Sequence, residues 1–306
     1  MNKLLFTLFR ISGLPILFRE LIQRKKVTIL LLHDISKEIA EQTFSYLSKN
    51  YNIIDLNDFI NAIDNRDNTK IPKKALIITF DDGHIRNYEI LPVIKKYNIP
   101  VTLFLCSSII NSNRHFWFKY KNQSISRERL KHIPNKEKLN ILSKSGFEQD
   151  KEFDKPQALQ KSHIDEMKHY VNMQSHTLFH PCLPKCDNVE ARKEIFNSME
   201  ILEREYKLEI NAISYPNGDY SERDILLAKE AGYKCGITVD FGFNSIKTDV
   251  FRLKRLSVND TPDLNELIVK ASGVWSFFKT RNGHKQKFGF PLNQQHKHHP
   301  TYHLYK

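Results

Sequence analysis

The amino-acid sequence predicts an α/β protein whose strands close into a (β/α) barrel. Three observations carry that expectation. Apolar runs of strand length alternate with segments of helical spacing, the pattern of parallel strands joined by crossover helices. Seven or eight such runs can be counted, which favours closure over an open sheet. Polar, chemically able residues follow at least five of them: His33, Asp81-Asp82, His176, Pro216-Asn217-Gly218 and Asp240. In a β/α barrel the loops after the strands open on one face, so residues far apart in sequence can converge there.

The elements follow in order. Val27–Leu32 reads as a strand delivering His33-Asp34. Lys37–Lys49 has helical spacing, with Ile39, Phe44 and Leu47 able to share a face. Tyr51–Ile54 is a short strand and Leu56–Ile63 a short helix. Ala75–Phe80 is apolar and rich in strand formers, the signature of a buried strand. Ile85–Tyr97 reads as one helix, ended by Asn98-Ile99-Pro100, and Val101–Leu105 as the next strand. Residues 111–160 break the rhythm: polar and lysine-rich, they read as an insertion, helical around Lys136–Leu142. Its opening His115-Phe116-Trp117-Phe118 suits either an anchor to the core or a platform for a sugar. Alternation resumes with a helix at Ile164–His169, a strand at Val171–Gln174, a long helix at Val189–Tyr206 and a strand at Ala212–Tyr215. Ser221 caps a helix that runs to Ala231 and stops at Gly232. Strands at Tyr233–Val239 and Leu253–Val258 and a helix at Leu264–Phe278 complete the domain.

This divides the chain into an N-terminal amphipathic segment (1–24), a catalytic domain (25–278) and a basic, His-rich tail (279–306) expected to be loose. The first segment is apolar but interrupted by Arg10, Arg19 and Glu20, and its apolar runs are too short to span a bilayer. It reads either as an interfacial helix or as a helix packed on the domain. With no cleavage-site pattern behind it, the expected location is cytoplasmic, with peripheral membrane contact open.

The formal charge of +12 favours an anionic neighbour, but the basic residues are dispersed and no nucleic-acid motif is present. Nucleic acid is therefore not the expected partner. The four cysteines do not make a disulfide framework. Cys106 and Cys235 sit in apolar runs and read as core residues.

Candidate chemistry begins at Thr79-Phe80-Asp81-Asp82-Gly83. Adjacent carboxylates repel, so holding them together requires a cation or a proton. His176 and His180 are four apart and can face one ion. With a carboxylate from another strand end they form a plausible His-His-Asp zinc set, which leaves a coordination position open as catalytic sites do. A rival set adds Cys182 and Cys186 to the histidines as a closed structural zinc site.

These residues resemble the polysaccharide deacetylase family, the carbohydrate esterases that share the chitooligosaccharide-deacetylase homology domain. Thr79–Gly83 matches the first family motif, and His176-Thr177-Leu178-Phe179-His180 the second. Tyr215-Pro216-Asn217-Gly218 matches a variant of the third. The resemblance covers about residues 25–278 and implies a distorted barrel holding a divalent metal, usually zinc. It implies Asp82, His176 and His180 as ligands and Asp81 as general base. It places a backbone N–H near Asn217, after Tyr215, at the oxyanion. One branch of the family takes its acid from a histidine before the Asp pair, and His33 in Leu31-Leu32-His33-Asp34 fits; a strand-end histidine bonded to a carboxylate is the other reading. The leucine-histidine pair of other members is absent near the C-terminus, consistent with His33. Many members carry in the third motif an arginine that orients the base. Here Ser214 and Tyr215 stand there, and Arg255 is expected to supply the cation from a later strand, with Asp240 orienting another group. The implied activity is metal-dependent removal of acetyl groups from N-acetylated sugars of a polysaccharide or glycan precursor. An O-acetyl esterase and a non-catalytic glycan-binding relative are the alternatives.

Overall fold

The computed structural model describes residues 2–120 and 125–281. Among the described residues, eight parallel strands make one curled sheet: β1 (Val27–Leu32), β2 (Asn52–Ile53), β3 (Ala75–Phe80), β4 (Val101–Leu105), β5 (Asn172–Ser175), β6 (Ala212–Ser214), β7 (Cys235–Ile237) and β8 (Leu256–Ser257). Their order is β7-β6-β5-β4-β3-β1-β8, and β2 pairs only with the start of β3. One edge of β3 is thus shared: Ala75 and Leu76 face β2, while Ile78–Phe80 face β4.

The two ends of the sheet meet through Leu253, which lies outside any strand. Thr238 donates its amide to the Leu253 carbonyl (2.9 Å), and Leu253 donates to Gly236 (3.0 Å). This irregular closure makes the barrel distorted. It also carries the next residues, including Arg255, across the mouth.

Among the described residues, twelve α-helices wrap the sheet or extend from it. They are α1 (Asn2–Ile11), α2 (Leu14–Leu17), α3 (Lys37–Asn50), α4 (Leu56–Asp64), α5 (Leu91–Tyr97), α6 (Arg127–His132), α7 (Asn135–Ser143), α8 (Lys161–Met167), α9 (Asn188–Tyr206), α10 (Glu222–Ala231), α11 (Leu264–Ala271) and α12 (Val274–Arg281). Side-chain caps explain several starts: Ser36, Asp55, Ser126, Asp187, Ser221 and Asp263 each accept a backbone N–H in the first turn. The expected helix at Ile85–Tyr97 divides into a 3-10 segment, Ile85–Ile90, and α5, because Pro92 has no N–H to continue the ladder. The expected helix from Leu264 to Phe278 divides at Gly273, whose φ of 81° breaks it into α11 and α12. The insertion holds α6 and α7 around its own apolar cluster of Trp117, Leu130, Leu142, Phe147 and Cys182. The basic tail from residue 282 onward lies outside the described residues.

Strand periodicity places the site. Val27, Ile29, Ala75 and Ile77 form the inner core with Cys235, Ile237 and the α4 residues Leu56, Phe59 and Ile60. Leu30, Leu32, Leu76, Ile78 and Phe80 pack outward among the surrounding helices. Continuing the inward series of β3 by twos gives Thr79 and then Asp81, so Asp81 enters the mouth of the barrel.

Candidate active site

Asp81 and Asp82 leave β3 buried, each 4% exposed, and take opposite surroundings. Asp82 has φ 77°, a conformation unusual for a residue with a side chain, and Gly83 follows at φ 74°. A Cβ on Gly83 would stand 2.8 Å from the Leu105 side chain, so the turn needs glycine for space as well as for φ. The reversal separates the two carboxylates.

Asp82 turns to the histidines. Its Oδ1 lies 3.4 Å from His176 Nε2 and 3.3 Å from His180 Nε2. Its Oδ2 accepts from His84 Nε2 at 3.0 Å. The carboxylate is therefore divided: one oxygen is fixed by His84, while buried Oδ1 has no hydrogen-bond donor. His176 Nδ1 meets the Ser214 carbonyl at 2.7 Å. A carbonyl only accepts, so Nδ1 carries the hydrogen and the Nε2 lone pair faces Asp82. Asp82, His176 and His180 offer donor atoms all within 4.8 Å of one another. This set fits a divalent cation: two imidazole nitrogens and one carboxylate oxygen, Oδ1, which has no other partner. The rival Cys site is not assembled. Cys182 lies in the insertion's apolar cluster, and the Cys186 thiol donates to the Cys182 carbonyl.

Asp81 turns to Arg255. The guanidinium binds it in a fork, Nη1 to Oδ1 and Nη2 to Oδ2, both at 2.8 Å. Nη2 also donates to Ser214 Oγ (2.9 Å), and Nε donates to the Thr238 carbonyl (2.8 Å). Ser214 Oγ in turn donates to Asp81 Oδ2 at 3.1 Å. Arg255 is wholly buried, so this fork is shielded from water.

Charges follow from these contacts. Burial alone would raise the Asp81 carboxyl, but Arg255 and His176 outweigh it and hold it below the usual carboxylate range. Burial is likewise overcome at Asp82 by His176, His180 and His84, which hold it well below that range. Burial drives His180 down to about 3, so its ring is neutral, as a metal ligand must be. At His176 burial is opposed by Asp81 and Asp82, and the net direction is upward.

The loop bearing His180 is held against its preferences. Thr177 has φ 65° and His180 φ 59°. Glu194 of α9 accepts the amides of Leu178 (2.9 Å) and Phe179 (3.0 Å), and Thr177 Oγ1 accepts that of His180 (3.2 Å). Trp117 of the insertion donates its indole N–H to the His180 carbonyl at 2.7 Å. These bonds over-determine a strained segment. Trp117 and Phe116 are thus buried anchors, while half-buried Phe118 stands 4.7 Å from the His180 ring.

The other expected residues are placed as follows. His33 is half-buried at the end of β1, close enough to act electrostatically on Asp81. Its amide donates to Asp260 Oδ1 (3.3 Å) and its carbonyl accepts from Asn87 (2.7 Å). Asn217 has φ 56° after β6 and donates its side-chain amide to Cys182 Sγ. Tyr215 does not open on the site. Its ring is buried, its hydroxyl donates to the Phe251 carbonyl, and its amide is spent on Ile237 O at 3.0 Å. The Asp240 carboxylate accepts the Tyr220 hydroxyl at 3.1 Å, and its carbonyl accepts the amide of Arg255 (3.0 Å). Sequence reasoning passed over His84, Ser214 and Glu194. His84 directly follows the Asp-Asp-Gly turn and could have been suspected; Glu194 is one acid on a charged helix and carries no local signal.

A model of the family described as polysaccharide deacetylase matches residues 68–236, more than half of the chain. The chain belongs to the polysaccharide deacetylase family. YxkH of Bacillus subtilis (strain 168), provisionally named a polysaccharide deacetylase, is 24% identical over 191 residues, covering 62% of this chain and 53% of that protein. The poly-β-1,6-N-acetyl-D-glucosamine N-deacetylase of Staphylococcus epidermidis is 27% identical over 202 residues, covering 66% and 60%. The chain thus spans between half and two thirds of these relatives' lengths. Among solved structures, IcaB from Ammonifex degensii has a TM-score of 0.60 at 17% identity, with 82% of this chain and 98% of that one covered. The Streptococcus pyogenes deacetylase PplD, in complex with acetate, gives 0.59 at 20%, with 81% and 99% covered. At these identities the structural likeness speaks for the fold of this polysaccharide deacetylase relative. The curled parallel sheet is the one the family uses.

Proposed function

We propose that this chain is a divalent-metal-dependent hydrolase that releases acetate from N-acetylated hexosamines of a glycan. The observation that carries the reading is the divided Asp82 carboxylate, whose donor-free Oδ1 faces both imidazoles while Asp81 is held separately by Arg255. Two curated relatives named for poly-β-1,6-N-acetyl-D-glucosamine make that polymer the first substrate to test.

Asp82, His176 and His180 would hold the ion, with zinc the expected metal. When bound, it would supply an activated water and polarise the amide carbonyl. Asp81 remains ionised beside that position and accepts the proton of the attacking water. Its basicity is lowered by Arg255, so its contribution is placement and charge more than strength. The Asn217 turn offers a backbone donor toward the carbonyl oxygen. As the C–N bond breaks, His33 gives a proton to the departing nitrogen, and acetate and a free amine result.

The test is acetate release from β-1,6-linked N-acetylglucosamine oligomers by metal-loaded protein, with Asp81→Asn and His176→Ala beside it. Loss of turnover in both variants with folding retained is expected. Unchanged turnover in either would refute the assignment. An O-acetylated xylan assayed in parallel separates ester from amide cleavage.

A further inference from the structure

Outside the active site, the most unusual surface is the N-terminal helical segment. Among the described residues, eight of the twelve large exposed hydrophobic side chains fall between residues 4 and 22. Leu4 is 70% exposed, Ile11 77% and Leu21 66%, with Leu8, Ile16 and Leu17 above half. The segment is nonetheless well docked on its other face. Phe6 and Phe18 are buried with Val269 and Val274, Phe6 and Phe9 meet the Trp275 ring, and Gln23 is locked to Thr28 and to the Ala271 carbonyl. One face is core and the other is bare apolar surface, a partition that soluble faces rarely show.

We propose that this face docks the protein on an anionic phospholipid surface. Charge selects that occupant. Residues 2–26 carry Lys3, Arg10, Arg19, Arg24, Lys25 and Lys26 against one acid, Glu20, which pairs with Arg19 and Lys74. Lys3, Arg24, Lys25 and Lys26 are exposed beside the apolar side chains. Apolar side chains rimmed by cations match an interface with acyl chains beneath anionic headgroups. A second copy on the same face would bring these cations together. Residues 282–306 contain no acid and several lysines, so they too would meet like charge. No described helix is long and apolar enough to cross a membrane, so the contact is peripheral.

The geometry leaves the catalytic mouth open. Gln23 bonds to Thr28 at the start of β1, and Glu20 pairs with Lys74 just before β3, so the end of the segment lies where the strands begin. Asp81 and Asp82 stand where β3 ends, at the opposite pole.

The experiment is flotation of the full chain with vesicles of phosphatidylglycerol and phosphatidylcholine, and with phosphatidylcholine alone, at low and high salt. Binding to the anionic vesicles is expected, with at least about tenfold weaker partition on neutral vesicles or at high salt. The double variant Ile11→Glu/Leu21→Glu, which alters only exposed positions, should weaken binding at least about tenfold. Circular dichroism and sedimentation velocity check that it stays folded. Binding unaffected by the double variant, or absent from the wild-type protein, overturns the proposal. So does a wild-type dimer that the variant dissociates, since a second copy would then cover this face. None of these readings depends on acetate release, so the proposal and the proposed activity fail separately.

Discussion

Replacing Arg255 with methionine tests the Asp81 fork most directly. The substitution keeps an apolar body of similar length and removes the cation. It deletes both 2.8 Å bonds to Asp81, the bond to Ser214 Oγ and the bond to the Thr238 carbonyl. What remains is a carboxylate 4% exposed with its principal counter-charge gone. Removing one partner of such a buried pair costs about 3–5 kcal/mol. For a chain of 306 residues, with an unfolding entropy of about 2.1 cal/mol/K per residue, that lowers Tm by roughly 5–8 °C. Burial, no longer opposed by Arg255, then raises the Asp81 pKa, so the acid limb of the pH–rate profile moves to higher pH. Acetate release should fall by about 10²–10⁴, the range for a displaced general base. Thermal unfolding and kcat/KM across pH are the assays, with Asp81→Asn and the double variant completing a cycle. The double variant should be far more stable than the sum of the single losses predicts, because neither charge is then left alone. An Arg255→Met protein with unchanged Tm and unchanged pH profile would refute the argument. So would strictly additive losses.

Further expectations concern the surrounding residues. His84→Ala frees the second oxygen of Asp82, so zinc affinity measured by chelator competition should fall about 10–100-fold while the fold persists; unchanged affinity removes His84 from the site's support. Extended dialysis against a chelator should abolish acetate release, and returning zinc should restore it; full activity at metal content near zero would exclude the proposed chemistry. Glu194 is pushed by burial from 4.5 to about 7 in the fold. Between those values the folded state binds the extra proton, so stability falls as pH rises from about 4.5 to about 7, by at most roughly 3 kcal/mol. Urea titrations of Glu194→Gln should lose that slope, and persistence of the slope would assign it elsewhere. At Gly218, with φ 71°, an added Cβ would lie 2.7 Å from the Val239 amide nitrogen, so Gly218→Ala should cost about 2 kcal/mol or more in thermal melts. A neutral result there would mean that the turn after β6 can shift.

Position 82 joins sequence to chemistry. A β-strand alternates its side chains, so two consecutive acids at its end would face opposite sides. The left-handed turn at Asp82 and Gly83 instead brings Asp82 to the histidines while Asp81 keeps the inward line of β3. Several other residues with positive φ lie at the same mouth, namely Thr177, His180 and Asn217. Backbone strain there is supported by bonds from distant elements, above all Glu194 and Trp117.

The sequence alone determined whatever local physics encodes. Val27–Leu32, Ala75–Phe80 and Val101–Leu105 are strands at their expected limits, because continuous apolar runs bury on both faces. Ser221 and Gly232 bound α10 because a side-chain cap and a glycine end a helix wherever they stand. The Asp pair and the histidine spacing were legible for the same reason. Only the tertiary structure decided which atoms meet. It turned Asp82 toward His84, gave Asp81 to Arg255, spent the Tyr215 hydroxyl on the Phe251 carbonyl, and exposed the apolar face of residues 4–22. Arg255 lies 174 residues from Asp81, and no periodicity reaches that far. The closure at Leu253 and the turn at Asp82 bring the two together, and burial then makes their pairing strong.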